Sequence, residues 1–293
     1  MTGDVQTFEK HRRELLALAY RMLGDMGRAE DAVQEAWLRW QGRAEEVDAP
    51  RVYLAKVVTR LCLNELQSGR SRREESRSDR LPEPVHLDEG GIGRVEGLDQ
   101  ISMAFLVVLQ RLTPAERAVL LLHDVFDFTH AEIADLVKKS VVACRQILSR
   151  ARDSVASERR LLVAPREEHR RLLQAFLRAS AAGDVRQLVD LLAEDAVLVA
   201  DGGPGGARYG RVRNLPRPLV GQAKVAAFLA AVGRQAPADV RHAECELNGQ
   251  PAVVTLRDGR VIAAVLLSVA DGKIHRIFVQ ADSTRLRYVC GLN

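Results

Sequence analysis

The spacing of apolar residues along this chain changes twice, and each change marks a boundary. From residue 8 to about 68 they recur every three or four positions, the signature of amphipathic helices. A first helix would bury Phe8, Leu15, Leu16, Ala19, Tyr20 and Leu23 and stop at Gly24. A second would bury Ala29, Ala32, Val33, Ala36, Trp37 and Trp40. A third begins near Asp48, carries Pro50 in its first turn, and buries Tyr53, Leu54, Val57, Val58, Leu61 and Leu66. Residues 69–98 lose this period and become polar, charged and rich in Gly and Pro, which predicts a flexible linker.

The helical period returns over residues 112–152, LTPAERAVLLLHDVFDFTHAEIADLVKKSVVACRQILSRAR. Thr113, Pro114 and Glu116 spell a helix start, and Thr129 with Glu132 repeats the capping box. A helix over His130–Val137, a short break, and a helix capped by Ser140 make a helix-turn-helix. On its second helix Cys144, Leu148, Ala151 and Val155 share an inward side, while Val142, Arg145, Gln146 and Ser149 face outward. That outer face offers donors, acceptors and one apolar group to base edges in a major groove. Lys138, Lys139, Arg150 and Arg152 flank it with charge for phosphates.

Past Pro165 the pattern becomes mixed. Two helices, Glu167 to Ala182 and Val185 to Ala193, precede a strand-like run Ala196–Ala200, a Gly/Pro-rich loop and a short helix from Gln222 to Val232. Strand-like runs then alternate with Asn248-Gly249, Asp258-Gly259 and Asp271-Gly272, dipeptides suited to tight hairpins. The expected architecture is multidomain: two all-α domains, over residues 8–68 and 99–160, then an α+β domain over 166–290 with a curved antiparallel sheet over helices.

Composition narrows the function. At 293 residues the chain is long enough for two or three cores, and no apolar run is long enough to span a membrane. Its N-terminus does not resemble a signal peptide, so a cytoplasmic location is expected. Cys62, Cys144, Cys245 and Cys290 are far apart and form no CxxC or Cys/His cluster; they read as buried thiols, with no metal site and no cofactor. The net charge of +4 is unevenly spread. Residues 1–165 hold 25 Lys/Arg against 26 Asp/Glu, and residues 166–293 hold 18 against 13. The half with the helix-turn-helix is therefore not basic as a whole, and only a local patch around 138–152 and 70–80 argues for DNA.

The stretches AEDAVQEAWLRW, PRVYLAKVVTRLCLNEL and LTPAERAVLLLHDVFDFTHAEIADLV…ACRQILSRAR together resemble bacterial extracytoplasmic-function sigma factors of the sigma-70 class. The first two resemble region two and the third region four. The back half resembles a SnoaL-like domain, and Leu81-Pro82-Glu83-Pro84 and Asp201-Gly202-Gly203 resemble marks of the subgroup that carries one. The resemblance implies that Asp31, Gln34, Glu35 and Leu38 dock on the clamp helices of the largest polymerase subunit, with the flap as a further contact. It implies that Arg60, Asn64, Gln67 and Arg70 lie near the minus-ten element. It implies that Lys139, Ser140, Val142, Arg145, Gln146, Ser149 and Arg150 read the minus-thirty-five element. Regulatory contacts are implied at Leu81, Pro82, Glu83, Pro84, Asp201, Gly202, Gly203, Asp282, Arg285 and Leu286, tuning the spacing of the two sigma regions. The family usually has Gly where this chain has Lys138, because the turn favours positive φ.

Two other readings stand beside this one. A helix-turn-helix regulator could bind DNA without joining polymerase. A SnoaL-like isomerase or cyclase fused to a DNA-binding module would need an Asp/His pair, for which Asp195, Asp201, His242 and His275 are the candidates. Asp201 in its Gly-rich loop reads more simply as a turn former, and His275 as a structural strand residue. A small ligand in the back domain is a further expectation.

Overall fold

The structure, a computed structural model, describes residues 2–43, 45–68, 80–86, 102–158, 165–203, 208–209, 212–213, 215 and 217–289. Its chain divides into two compact units. One holds residues 1–76, 87–101 and 106–157; the other holds 77–86, 102–105 and 158–293. Helices and strands are numbered below in chain order.

In the first unit α1 (Thr2–Leu23), α2 (Met26–Trp40) and α3 (Pro50–Gln67) form a bundle. The Gly24 N–H donates to Tyr20 O at φ 65°, closing α1 where the sequence predicts. Asp25 caps α2 by accepting from Arg28 N. Fully buried Trp40 donates its indole N–H to Asp4 O at 2.9 Å, and half-buried Trp37 packs on Phe8 at 5.1 Å. Tyr53, Val57 and Leu61, expected inside, are also only half-buried. Ala55, Cys62 and Leu63 take the interior positions instead. The periodic reading therefore placed the face of α3 slightly off.

After α4 (Met103–Arg111) come α5 (Pro114–Asp124), α6 (His130–Val137) and α7 (Val141–Glu158). Both predicted capping boxes form, at Thr113/Glu116 and Thr129/Glu132. Lys138 adopts the left-handed conformation, φ 53° and ψ 51°, at the C-cap of α6. A β-carbon costs about 1 kcal/mol there.

The second unit contains α8 (Arg166–Ala182), α9 (Val185–Leu191), β1 (Leu192–Asp201), β2 (Arg208–Tyr209), β3 (Val212–Arg213), β4 (Leu219–Val220), α10 (Gln222–Arg234), β5 (Val240–Leu247), β6 (Gln250–Arg257), β7 (Arg260–Ala270) and β8 (Lys273–Gln280). The main sheet runs β4-β1-β8-β7-β6-β5. Strands β5 to β8 form the expected antiparallel meander. The three turn dipeptides, Asn248-Gly249, Asp258-Gly259 and Asp271-Gly272, all have positive φ at both residues. The sheet is mixed, however, and not antiparallel throughout, because β1 pairs parallel to β8. Such a pairing needs a long crossover, supplied here by everything between β1 and β8.

One face of this sheet packs on the helices. Leu172, Leu173, Phe176, Leu188, Val225, Ala226 and Leu229 meet Leu192, Ala196, Leu198, Leu267, Ile274 and Ile277 in a single core. The opposite face carries the alternate residues Ala252, Val254, Ala264, Leu266 and Phe278, and these are buried too. Residues 80–86 and 102–105 belong to this unit, and Leu81, Val85 and Met103 are nearly fully buried. Within the stretch read as flexible linker, then, residues 80–86 are built into the back domain; residues 69–79 and 87–98 lie outside the described residues.

Candidate nucleic-acid interface

The recognition helix is set by its start and its inward side. Ser140 Oγ accepts from Ala143 N at 3.1 Å, fixing the first turn of α7. Cys144, Leu148 and Ala151 are buried as expected, and Val155 is half-buried. Lys139, Ser140, Val142, Arg145, Gln146, Ser149 and Arg150 are all exposed, with Val142 at 63%. Arg150 lies 3.9 Å from Glu116, a loose surface pair, and Arg152 is held by Asp124 at 3.2 and 2.5 Å.

On α2 the residues Asp31, Gln34 and Leu38 are exposed and Glu35 half-exposed. They share one side of the helix, with Leu38 at 56% and Glu35 bonded to Arg39. On α3 Arg60, Asn64 and Gln67 project outward, while Arg70 falls outside the described residues. Cys62 is sealed in the core, where burial pushes its thiol up to about 12; Cys144 is buried, Cys245 only half-buried, and Cys290 lies outside the described residues.

Three remote segments meet in the back domain. Asp201, 5% exposed, accepts from Leu81 N at 3.0 Å and from Gln280 Nε2 at 3.2 Å through one carboxylate oxygen. Its other oxygen accepts from Gly203 N at 3.0 Å, the turn-forming role read from the sequence. Arg285 and Gln280 both donate to Leu81 O. Val85 is held like a strand residue: its N–H donates to Asn248 Oδ1 at 3.1 Å, and its carbonyl accepts from Asn248 N at 2.8 Å. His86 N donates to Tyr288 O, and Met103 N to Gln250 Oε1. Pro82 and Pro84 are buried, Glu83 is 1% exposed and 3.8 Å from Arg287, and Leu286 is buried. Gly203 has φ 70°, and a β-carbon there would lie 2.6 Å from Asp282 Cγ, so the loop closes on that carboxylate. Gly202 is half-buried beside it.

Comparison with known proteins decides the family. Models for Sigma-70 region 2 and Sigma-70 region 4 match residues 7–73 and 102–155. The ECF RNA polymerase sigma factor SigJ of Mycobacterium tuberculosis is 37% identical over 77% of this chain and 72% of its own length. The probable ECF sigma factor SigI of the same species is 31% identical over 94% of this chain and 92% of its own. The crystal structure of SigJ superposes with a TM-score of 0.73, covering 96% of this chain and 98% of that one, at 32% identity.

The chain belongs to the extracytoplasmic-function RNA polymerase sigma factors.

As a sigma factor it binds core RNA polymerase and promoter DNA and starts transcription. Among the described residues no helix is long and apolar enough to cross a membrane. In the first unit sigma regions 2 and 4 are packed against each other. Arg51 on α3 makes a two-pronged bond to Glu14, donates to Phe126 O at 3.3 Å, and lies over the Phe126 ring at 5.1 Å. Arg117 on α5, 1% exposed, donates to the carbonyls of Leu109, Gln110 and Leu112 at the end of α4 and to Met22 O at the end of α1. One cation thus serves two helix C-termini, where backbone carbonyls lack partners and the dipole favours positive charge. Lys56 lies 3.9 Å from Glu132 and Arg60 3.8 Å from Asp135. Sequence reading missed Arg51, Arg117, Gln250, Asn248 and Gln280 as contact residues, because their partners lie far off in the chain.

The candidate acid–base residues divide. Asp201 is committed to Leu81 and Gln280. His275 Nδ1 lies 3.3 Å from Asp195, yet Asp195 is 60% exposed on the strand surface. His242 bonds Thr255 on the edge of the sheet. Asp195 and His275 thus form a pair with an open carboxylate, whereas the helix-covered core is lined by aliphatic side chains and Phe176.

Proposed function

We propose that this sigma factor initiates by a two-point grip whose span its own back domain limits. The face of Asp31, Gln34, Glu35 and Leu38 takes the polymerase clamp helices. Arg60, Asn64, Gln67 and Arg70 approach the minus-ten element. The outward side of α7, from Lys139 to Arg150, reads the minus-thirty-five element, with region 4 seated on the flap. Each grip alone is weak; held on one polymerase, the second contact becomes intramolecular.

The observation that carries the regulatory part is the docking of residues 80–86 and Met103 on the back domain. An unpinned chain from residue 68 to 103 reaches about 120 Å when extended. Pinning its middle and its far end leaves a first arm of about 40 Å. The packed arrangement of regions 2 and 4, with Arg60 paired to Asp135, is then a free form that core polymerase opens. The back domain serves this as a non-catalytic clamp.

Run-off transcription with purified core polymerase tests the assignment. Wild-type chain should direct promoter-specific transcripts, and Leu38→Asp should abolish co-elution with core enzyme. Replacing Arg145 and Gln146 together by alanine should leave co-elution intact and remove dependence on the minus-thirty-five element. Full promoter-specific activity of both variants would overturn the residue assignments.

A further inference from the structure

Beside the reading face of α7 stands a group of side chains that the two-point grip does not use. His123 at the end of α5 and His130 at the start of α6 meet edge to face, with ring centroids 4.8 Å apart. Asp124 accepts both guanidinium prongs of Arg152, at 3.2 and 2.5 Å, and lies 2.9 Å from His123 Nδ1. Arg152 Nη2 is 3.3 Å from the same nitrogen. From α7, Arg145 and Arg152 both bear electrostatically on His130. The charged groups facing this pair are therefore Asp124 from α5, Glu132 from α6, and Arg145 and Arg152 from α7. Glu132 is spent on its capping box and Asp124 on Arg152.

We infer that His123 and His130, with Arg152 beside them, form a binding site for a phosphodiester of the DNA backbone flanking the groove that α7 enters. Resting on the sigma reading, this adds a contact and makes it proton-dependent. In a helix-turn-helix the first helix crosses the backbone while the second enters the groove. His130 stands at the first position of that first helix, within the field of the groove-facing Arg145. Asp124 already meets the charge of Arg152, so the response to a phosphate falls to the imidazoles, His130 above all. Without one, burial and then His123, Arg145 and Arg152 hold the His130 pKa below its ordinary value of 6.5. A phosphate between the rings reverses that shift, so DNA binding takes up a proton and tightens as pH falls.

The test uses the full chain and a duplex carrying a promoter it transcribes, with affinity measured by fluorescence anisotropy at about pH 6 and pH 8 across a salt series. Wild type should bind about fivefold tighter at the lower pH. The double variant His123→Gln/His130→Gln should lose that pH dependence and weaken binding equally for all sequences. The slope of log affinity against log salt should drop by about 0.9, one phosphate contact. In labelled protein the His130 imidazole should titrate at higher pH with DNA than without it. An unchanged pH dependence and salt slope in the double variant, with Arg145→Ala still abolishing sequence preference, would overturn this site alone. No duplex binding by the wild-type chain even at low salt and with core polymerase added would overturn the site and the DNA-reading helix together.

Discussion

Replacing Asp201 by asparagine probes the joint on which the linker docking depends. The amide side chain would keep one acceptor, enough for Gly203 N, but would turn its N–H₂ toward two donors, Leu81 N and Gln280 Nε2. Hydrogen bonds to a charged partner contribute about 1.5–3 kcal/mol each, and Asp201 is nearly buried, so water does not replace them. Allowing for relaxation of Gln280, the net loss is about 3 kcal/mol. That corresponds to about a hundredfold rise in the population with the linker released. Hydrogen exchange reads this directly, because local opening sets the exchange rate of docked amides. The Leu81 and Val85 amides should exchange about a hundredfold faster in D201N. Amides of β6 and β7, such as Val253 and Leu266, should keep their protection because their ladder is untouched. A change of less than tenfold at Leu81 and Val85 would mean that Asp201 does not hold the linker. Equal acceleration throughout the sheet would mean that the mutation unfolds the domain and does not open the joint.

Other outcomes follow from the same contacts. Gly233→Ala places a β-carbon 1.7 Å from Ser180 O, where backbone must move, and should destabilise the back domain by about 3 kcal/mol in chemical denaturation; a midpoint equal to wild type would contradict it. Burial holds the His169 imidazole at about 4, below its ordinary 6.5, so the unfolded chain binds a proton that the folded chain excludes. Stability is whole above about pH 6.5 and falls as pH drops through 6.5 toward 4, by about 2 kcal/mol at pH 5. His169→Gln should remove that part of the acid slope in a pH series of unfolding curves. Arg117→Met strips four carbonyls of a buried donor and should cost about 3 kcal/mol or more. Asp135→Asn breaks only an exposed pair and should cost under about 1 kcal/mol, so similar losses for the two would contradict the placing of the closed contact's strength.

Much of the helical half was legible because its signals are local. A capping box is complete within four residues, and Thr129 and Glu132 set the start of α6 regardless of surroundings. The hairpin dipeptides worked for the same reason, since positive φ at Asn248 and Gly249 is a property of those two residues. Lys138 held its left-handed turn without glycine because the helix ends beside it fix the path at modest cost. The mixed sheet was not legible. The pairing of β1 with β8 joins strands about seventy residues apart, and nothing in either strand names its partner. Composition hid the docked linker, and only the family resemblance singled out Leu81, Pro82, Glu83 and Pro84 as contacts. Leu81, Val85 and two prolines among charged residues look like solvent-exposed coil until Asp201, Asn248 and Arg285 supply their bonds. The outward residues of α7 were found by helical angle alone, whereas the arginines that bind region 2 to region 4 look in sequence like any surface arginine.

On the proposed function, regions 2 and 4 rest packed together and separate when the chain engages polymerase. The most direct measurement is the distance between probes at exposed Arg13 on α1 and Asp153 on α7, attached through unnatural amino acids so that native cysteines stay untouched. One short distance is expected in the free chain, and a single, much longer one once core polymerase and promoter are added. An unchanged distance on productive, promoter-bound polymerase would contradict that separation.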